Sequence, residues 1–146
     1  MTQSGENAYT ILETLHRSKH FFVYKAKNYF RGNFVTIKSI EQRWRSDPSI
    51  NRQLRFEAEA GLRLRHAAIR QTIGLFEDDG TIYMVSEFIP GDSLNTLLNI
   101  PKIDISYAHA RKWLIQLLEA MNHAHAQRII HINLNPQNII VTPVTP

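Results

Sequence analysis

The tripeptide Arg31-Gly32-Asn33 most restricts how this chain folds. Gly and Asn tolerate positive φ, so it has the chemistry of a tight hairpin. It joins two segments that read as strands, Phe21 to Lys27 and Asn33 to Ile40, and Tyr9 to Leu15 reads as a strand before them. Ile73 to Phe76 and Ile82 to Phe88 read as two more, split by the turn Asp78-Asp79-Gly80. Between these groups lies a helix start. In Asp47-Pro48 the Asp can cap and the Pro suits the first helical position. Ile50, Leu54, Gly61 and Leu64 then recur at helical spacing. Strands joined by hairpins with a helix between them imply an antiparallel sheet carrying one packed helix, an α+β class.

Past Ile89-Pro90-Gly91, Ser93 to Leu98 reads as a short helix. Ser106 can cap a long one, whose apolar stripe is Tyr107, Ala110, Leu114, Leu117, Leu118, Met121 and Ala124. Ile139 to Val141 reads as a last strand, and the tail 142–146 holds two prolines that bar a helix.

The 146 residues fit one domain, and 43% hydrophobic content is ordinary for a globular chain. Absence of cysteine excludes disulfides, thiolate metal sites and a Cys nucleophile. The polar stretch from Met1 to Tyr9 is not a signal core, and no apolar run is long enough for a membrane span, so a cytoplasmic protein is expected. Charge is bipolar: residues 38–70 carry net +4 and residues 71–108 net −5. That layout favours protein partners, and a nucleic-acid role is not expected.

Glu57 lies on the stripe of the Pro48 helix, three residues after Leu54. Buried, it needs a partner, and Lys38 in the apolar strand Val35-Thr36-Ile37-Lys38 is the candidate. At the stripe edge it would be solvated. Periodicity fits both.

Val35-Thr36-Ile37-Lys38 resembles the Val-Ala-Ile-Lys strand of the protein kinase fold, and Glu57 stands where that family has its helix glutamate. Tyr83-Met-Val-Ser-Glu-Phe-Ile-Pro-Gly91 resembles the last strand and hinge, and Ile129-Ile-His-Ile-Asn-Leu-Asn-Pro-Gln-Asn138 the catalytic loop. Bacterial serine/threonine kinases are the nearest resemblance. It implies a kinase-like N-lobe over residues 1–89, a hinge with two helices and a degenerate catalytic loop over 90–141, and a Pro-rich tail over 142–146. It also implies vestigial nucleotide positions at Val23, Thr36, Lys38, Glu57, Glu87, Ile89, Asn138 and Ile140.

The chain departs from the family pattern at several points. The three glycine positions of the phosphate loop fall on His16, Ser18 and Phe21, and Phe21 and Phe22 add bulk where phosphates would lie. The flanking His16, Arg17, Lys19 and His20 read as a solvated hairpin tip. Thr36 replaces the usual Ala and would crowd adenine, whereas the small Ser86 opens a back pocket. His-Arg-Asp reads His131-Ile132-Asn133, and Asn133 cannot act as a base. Asn135 replaces the family's lysine. The chain stops eight residues after Asn138, with no counterpart of Asp-Phe-Gly.

The expectation is therefore a truncated, catalytically inactive pseudokinase, not an enzyme, that acts as a scaffold or regulatory module. It would bind another protein or itself through the apolar surface of Trp113, Leu114, Leu117, Leu118 and Met121. The basic helix face of Arg52, Arg55, Arg63 and Arg65 reads as solvated. No cofactor is expected beyond weak or absent ATP binding. No metal site is expected either, and His123, His125 and His131 read as core groups. The alternatives are a nucleotide-binding sensor, or half of a split serine/threonine kinase completed by another chain.

Overall fold

The structure, a computed structural model, describes residues 9–143. Of the tail 142–146, only Thr142 and Pro143 lie within that range. The described elements are β1 (Tyr9–Arg17), β2 (Phe21–Asn28), β3 (Phe34–Ile40), α1 (Pro48–Arg63), β4 (Thr72–Asp78) and β5 (Thr81–Glu87). They continue with β6 (Asp92–Ser93), α2 (Leu94–Leu98), α3 (Tyr107–Ala126) and β7 (Ile140–Val141). The chain divides into two compact units. The first runs through Arg65 and includes Arg70–Phe88, and the second holds His66–Ile69 and the chain from Ile89 on.

In the first unit the five strands form one antiparallel sheet in the order β1-β2-β3-β5-β4. The expected turns make its hairpins: Gly32 has φ +69°, and Asp79 and Gly80 have φ 43° and 69°. Alternation along each strand then divides the apolar side chains between two faces. One face carries Ala26, Val35, Ile37 and Val85, with Tyr9, Phe76 and Tyr83 packed against them. The other carries Phe21, Ile40 and Ile82, and α1 buries Ile50 and Leu54 against them. The helix thus packs on the face of β3 that holds Lys38. Gly61 of α1 lies so close to Thr72 of β4 that a Cβ there would overlap the threonine hydroxyl.

The second unit is built around α3. Of the expected stripe only Ala124 is buried, joined by Ala120. Leu117 and Met121 are half-buried, and Tyr107, Ala110, Leu114 and Leu118 are exposed. The strand expected near Ile140 exists as a two-residue pairing of β7 with β6, which the sequence did not reveal. Gly91 permits it: its φ is +147°, and a Cβ there would strike the Val141 carbonyl.

His125 and His131 are exposed, which corrects their reading as core groups. His125 follows Ala124 by one residue and so points about 100° away from the buried line, and His131 sits in the loop after α3. His123 is half-buried, lies 5.3 Å from the His66 ring, and shares a 3.0 Å hydrogen bond with Gln127. Among the described residues, no helix is long and apolar enough to cross a membrane.

Asp47 caps α1 as its sequence suggests, accepting from the backbone N–H groups of Ser49 at 2.8 Å and Ile50 at 3.3 Å. Those bonds favour the carboxylate and hold its pKa below the ordinary 3.8. A depressed folded-state pKa gives stability that is present above the ordinary value and fades as pH falls through the folded one. Asp47→Ala should therefore be less stable than wild type at neutral pH, with the gap closing in acid. Urea melts of both proteins from pH 7 to pH 3 measure it, and a gap that stays constant across that range would contradict the cap.

Candidate functional site

The first group of site residues is fixed by the β2–β3 register. Val23 pairs with Lys38, and Phe21 with Ile40. All four side chains therefore share one sheet face, the face covered by α1. Glu57 follows Leu54 by three residues, so the packing that buries Leu54 brings the carboxylate to the ammonium. The Lys38 Nζ donates to Glu57 Oε1 at 2.9 Å and Oε2 at 2.7 Å. It also stands 4.6 Å from the centre of the Phe21 ring. The structure thus decides what periodicity left open: the pair forms, but at the stripe edge. The side chains are 21% exposed at Lys38 and 42% at Glu57.

Phe21 corrects the reading that it bulks the phosphate loop. It is 6% exposed and belongs to the core beneath α1. Phe22 is half-buried and stacks on Tyr24, 5.8 Å away. The β1–β2 turn closes on itself. The Ser18 N–H donates to the Phe21 carbonyl at 2.9 Å, and the Phe21 N–H donates to Ser18 Oγ at 3.1 Å. Two amides that could face an anion are thereby engaged. His16, Arg17 and Lys19 are exposed and His20 is half-buried, its ring centre 4.8 Å from that of Trp44.

Thr36 and Ser86 are buried register partners on β3 and β5. The Thr36 hydroxyl reaches the Glu87 carbonyl at 3.5 Å. The Glu87 carboxylate accepts from the Gln71 N–H at 2.8 Å, which ties the end of β5 to the start of β4.

The second unit carries the loop after α3. Asn133 is its hub: the Asn138 Nδ2 donates to its carbonyl at 2.8 Å, and the Asn135 Nδ2 to its Oδ1 at 3.0 Å. Asn135 also caps the short turn Pro136–Asn138 through the Gln137 N–H. Ile132 is 96% exposed. Ile89 and Ile140 also fall in this unit and are half-buried. On α3, Trp113, Leu117 and Met121 are half-buried, whereas Leu114 and Leu118 are 55% and 59% exposed. Among the described residues no group of three metal-ligating side chains forms. On α1, Arg52, Arg55, Arg63 and Arg65 are exposed, and Arg55 pairs with Glu77 of β4 at 3.1 Å.

The family described as protein kinase domain matches residues 9–145. An Aurora kinase of Schizosaccharomyces pombe is 30% identical over 91% of this chain, which spans 37% of that protein. A probable serine/threonine-protein kinase of Clostridium perfringens is 29% identical over 93% of the chain, which spans 20% of it. The crystal structure of a mutant of the Mycobacterium tuberculosis PknI kinase domain matches in fold with a TM-score of 0.75. The identity there is 20%, over 93% of this chain and 56% of that one. These matches overturn the expectation that the chain is not an enzyme: the domain they share is a kinase domain, and these curated relatives carry the names of kinases.

Partial exposure limits what the Lys38–Glu57 pair contributes to stability. Exposed pairs are worth about 0.2–1 kcal/mol, and the core residues around this one hold the helix without it. Lys38→Met should accordingly lower the unfolding free energy by about 1 kcal/mol or less. A loss of several kcal/mol in denaturant melts would mean that the pair is desolvated in solution.

Proposed function

Because the chain belongs to the protein kinase domain family, we propose that it is the nucleotide-binding part of a serine/threonine kinase domain. One observation carries this reading: Lys38 and Glu57 are joined by two hydrogen bonds of 2.7 and 2.9 Å. A lysine so held presents a fixed positive charge, which is what a nucleotide's phosphates require. Val23 and Thr36 lie on the same sheet face and belong to the base end of the site. Residues 1–89 would then be the N-lobe and 90–141 the hinge and the start of the C-lobe.

In the second unit, Asn138 has its amide nitrogen engaged by Asn133 and keeps Oδ1 as an acceptor. An oxygen of that kind suits Mg²⁺. Asn133 bears an amide, so its chemistry is orientation of a hydroxyl and not proton abstraction. The self-closed β1–β2 turn offers few backbone donors, and affinity for nucleotide is accordingly weak. The compartment in this reading is the cytoplasm.

The test is a thermal melt with Mg-ATP. At about ten times Kd the ligand should stabilise by about 1.4 kcal/mol, a rise of a few degrees. Lys38→Met should abolish the rise. No shift at millimolar Mg-ATP would sink the reading.

A second reading rests on the exposure of Leu114 and Leu118 one turn apart on α3. Contiguous apolar surface of this kind marks a protein-binding face. Under this reading α3 docks another protein chain or a second copy. Leu114→Glu with Leu118→Glu should then abolish any concentration-dependent mass seen by light scattering. A wild-type chain that stays monomeric and is unaffected by the pair of substitutions would remove self-association.

A further inference from the structure

Lys38 has three ammonium hydrogens, and the chain itself occupies the group on two sides. Glu57 takes two hydrogen bonds, at 2.7 and 2.9 Å, and the face of the Phe21 ring lies 4.6 Å from Nζ. A cation above an aromatic face at that distance is attracted to the ring quadrupole, more strongly as water is withdrawn. Water is partly withdrawn here: Phe21 is 6% exposed and the Lys38 side chain 21%.

The ring is also fixed. Phe21 packs with Ile40, Ile50, Leu54 and Ile82, so swinging it away opens the core. Its N–H and carbonyl are both bonded to Ser18 across the β1–β2 turn. The register makes the contact systematic. Phe21 pairs with Ile40 and Val23 with Lys38, so Phe21 is the diagonal neighbour of Lys38 on one face, within reach of a long side chain.

We propose that Phe21 is a positioning residue that masks Lys38, holding the ammonium between its ring and Glu57 and weakening the grip of the lysine on a nucleotide's phosphates. The proposal rests on the nucleotide-binding reading. A phosphate oxygen that takes the third ammonium hydrogen must displace the ring contact, at a cost of roughly threefold to tenfold in affinity. Adenosine has no phosphate and pays nothing.

Two variants separate this role from packing. Phe21→pentafluorophenylalanine keeps the ring's shape but reverses its quadrupole, and Phe21→Leu removes the ring. Each is titrated calorimetrically with Mg-ATP and with adenosine, and the Lys38 ε-methylene protons are followed by NMR. Mg-ATP should bind about threefold to tenfold more tightly to both variants, with adenosine unchanged. In the wild type the ε-protons should be shifted upfield by the ring, and Phe21→Leu should remove the shift.

Unchanged or weaker Mg-ATP binding to the fluorinated variant overturns the proposal, as does an equal gain for adenosine. If wild type binds Mg-ATP and both variants bind it equally well, masking alone fails and the nucleotide reading stands. If no form binds Mg-ATP, both fail, whatever the ε-protons show. If only the variants bind, masking is upheld and the reading fails for the wild-type chain.

Discussion

Burial of Ile50 and Leu54 of α1 against the Lys38 face of the sheet is the constraint on which the site depends. Leu54 is fully buried and Ile50 nearly so. Each is worth about 1.5–3 kcal/mol relative to leaving it in water. The Lys38–Glu57 pair, half-open to solvent, is worth a fraction of that. Cause therefore runs from packing to chemistry. Leu54 sets the rotation of the helix, rotation sets where Glu57 emerges, and the carboxylate meets Lys38 because β3 pairs with β2 in one register only. Slipping that register by one residue would turn Lys38 to the opposite face, among Val35 and Ile37, away from Glu57.

Much of this was legible because it is local. Gly32, Asp47 with Pro48, Ser93 and Ser106 sit where their backbone chemistry puts them, and the elements begin and end within a residue or two of them. The Lys38–Glu57 partnership was legible too, from an apolar strand and a helical stripe. Its exposure was not, since a stripe edge and a stripe centre differ by less than one residue's rotation. Phe21 misled for the same reason. A glycine position in a family pattern suggests a residue at a loop, but alternation from Val23 places Phe21 on the core face. The alternation was the better guide. The β6–β7 pairing could not be read at all, because two residues carry no period.

α3 shows how a regular pattern can overstate burial. Its stripe repeats at helical spacing from Tyr107 to Ala124, yet only Ala120 and Ala124 are buried. Periodicity reports which face is apolar, not how much of it is covered. The two buried positions are small residues in the last two turns, whereas Ala108 and Ala110 in the first turn are exposed. The larger side chains upstream remain half-buried or open, and the histidines read as core fall off the buried line.

The loop after α3 replaces charge with amides. Where the family pattern sets an aspartate and a lysine, Asn133 and Asn135 meet through a 3.0 Å hydrogen bond. Neutral partners hold a loop shape at less desolvation cost than an ion pair, since neither group is charged. The shape is held twice, because Asn138 donates to the Asn133 carbonyl from the other side. What changes is the electrostatics. A carboxylate and an ammonium would each place a unit charge in the loop, whereas two amides place dipoles there. In this chain a fixed positive charge resides on the sheet, at Lys38, held between the Glu57 carboxylate and the Phe21 ring.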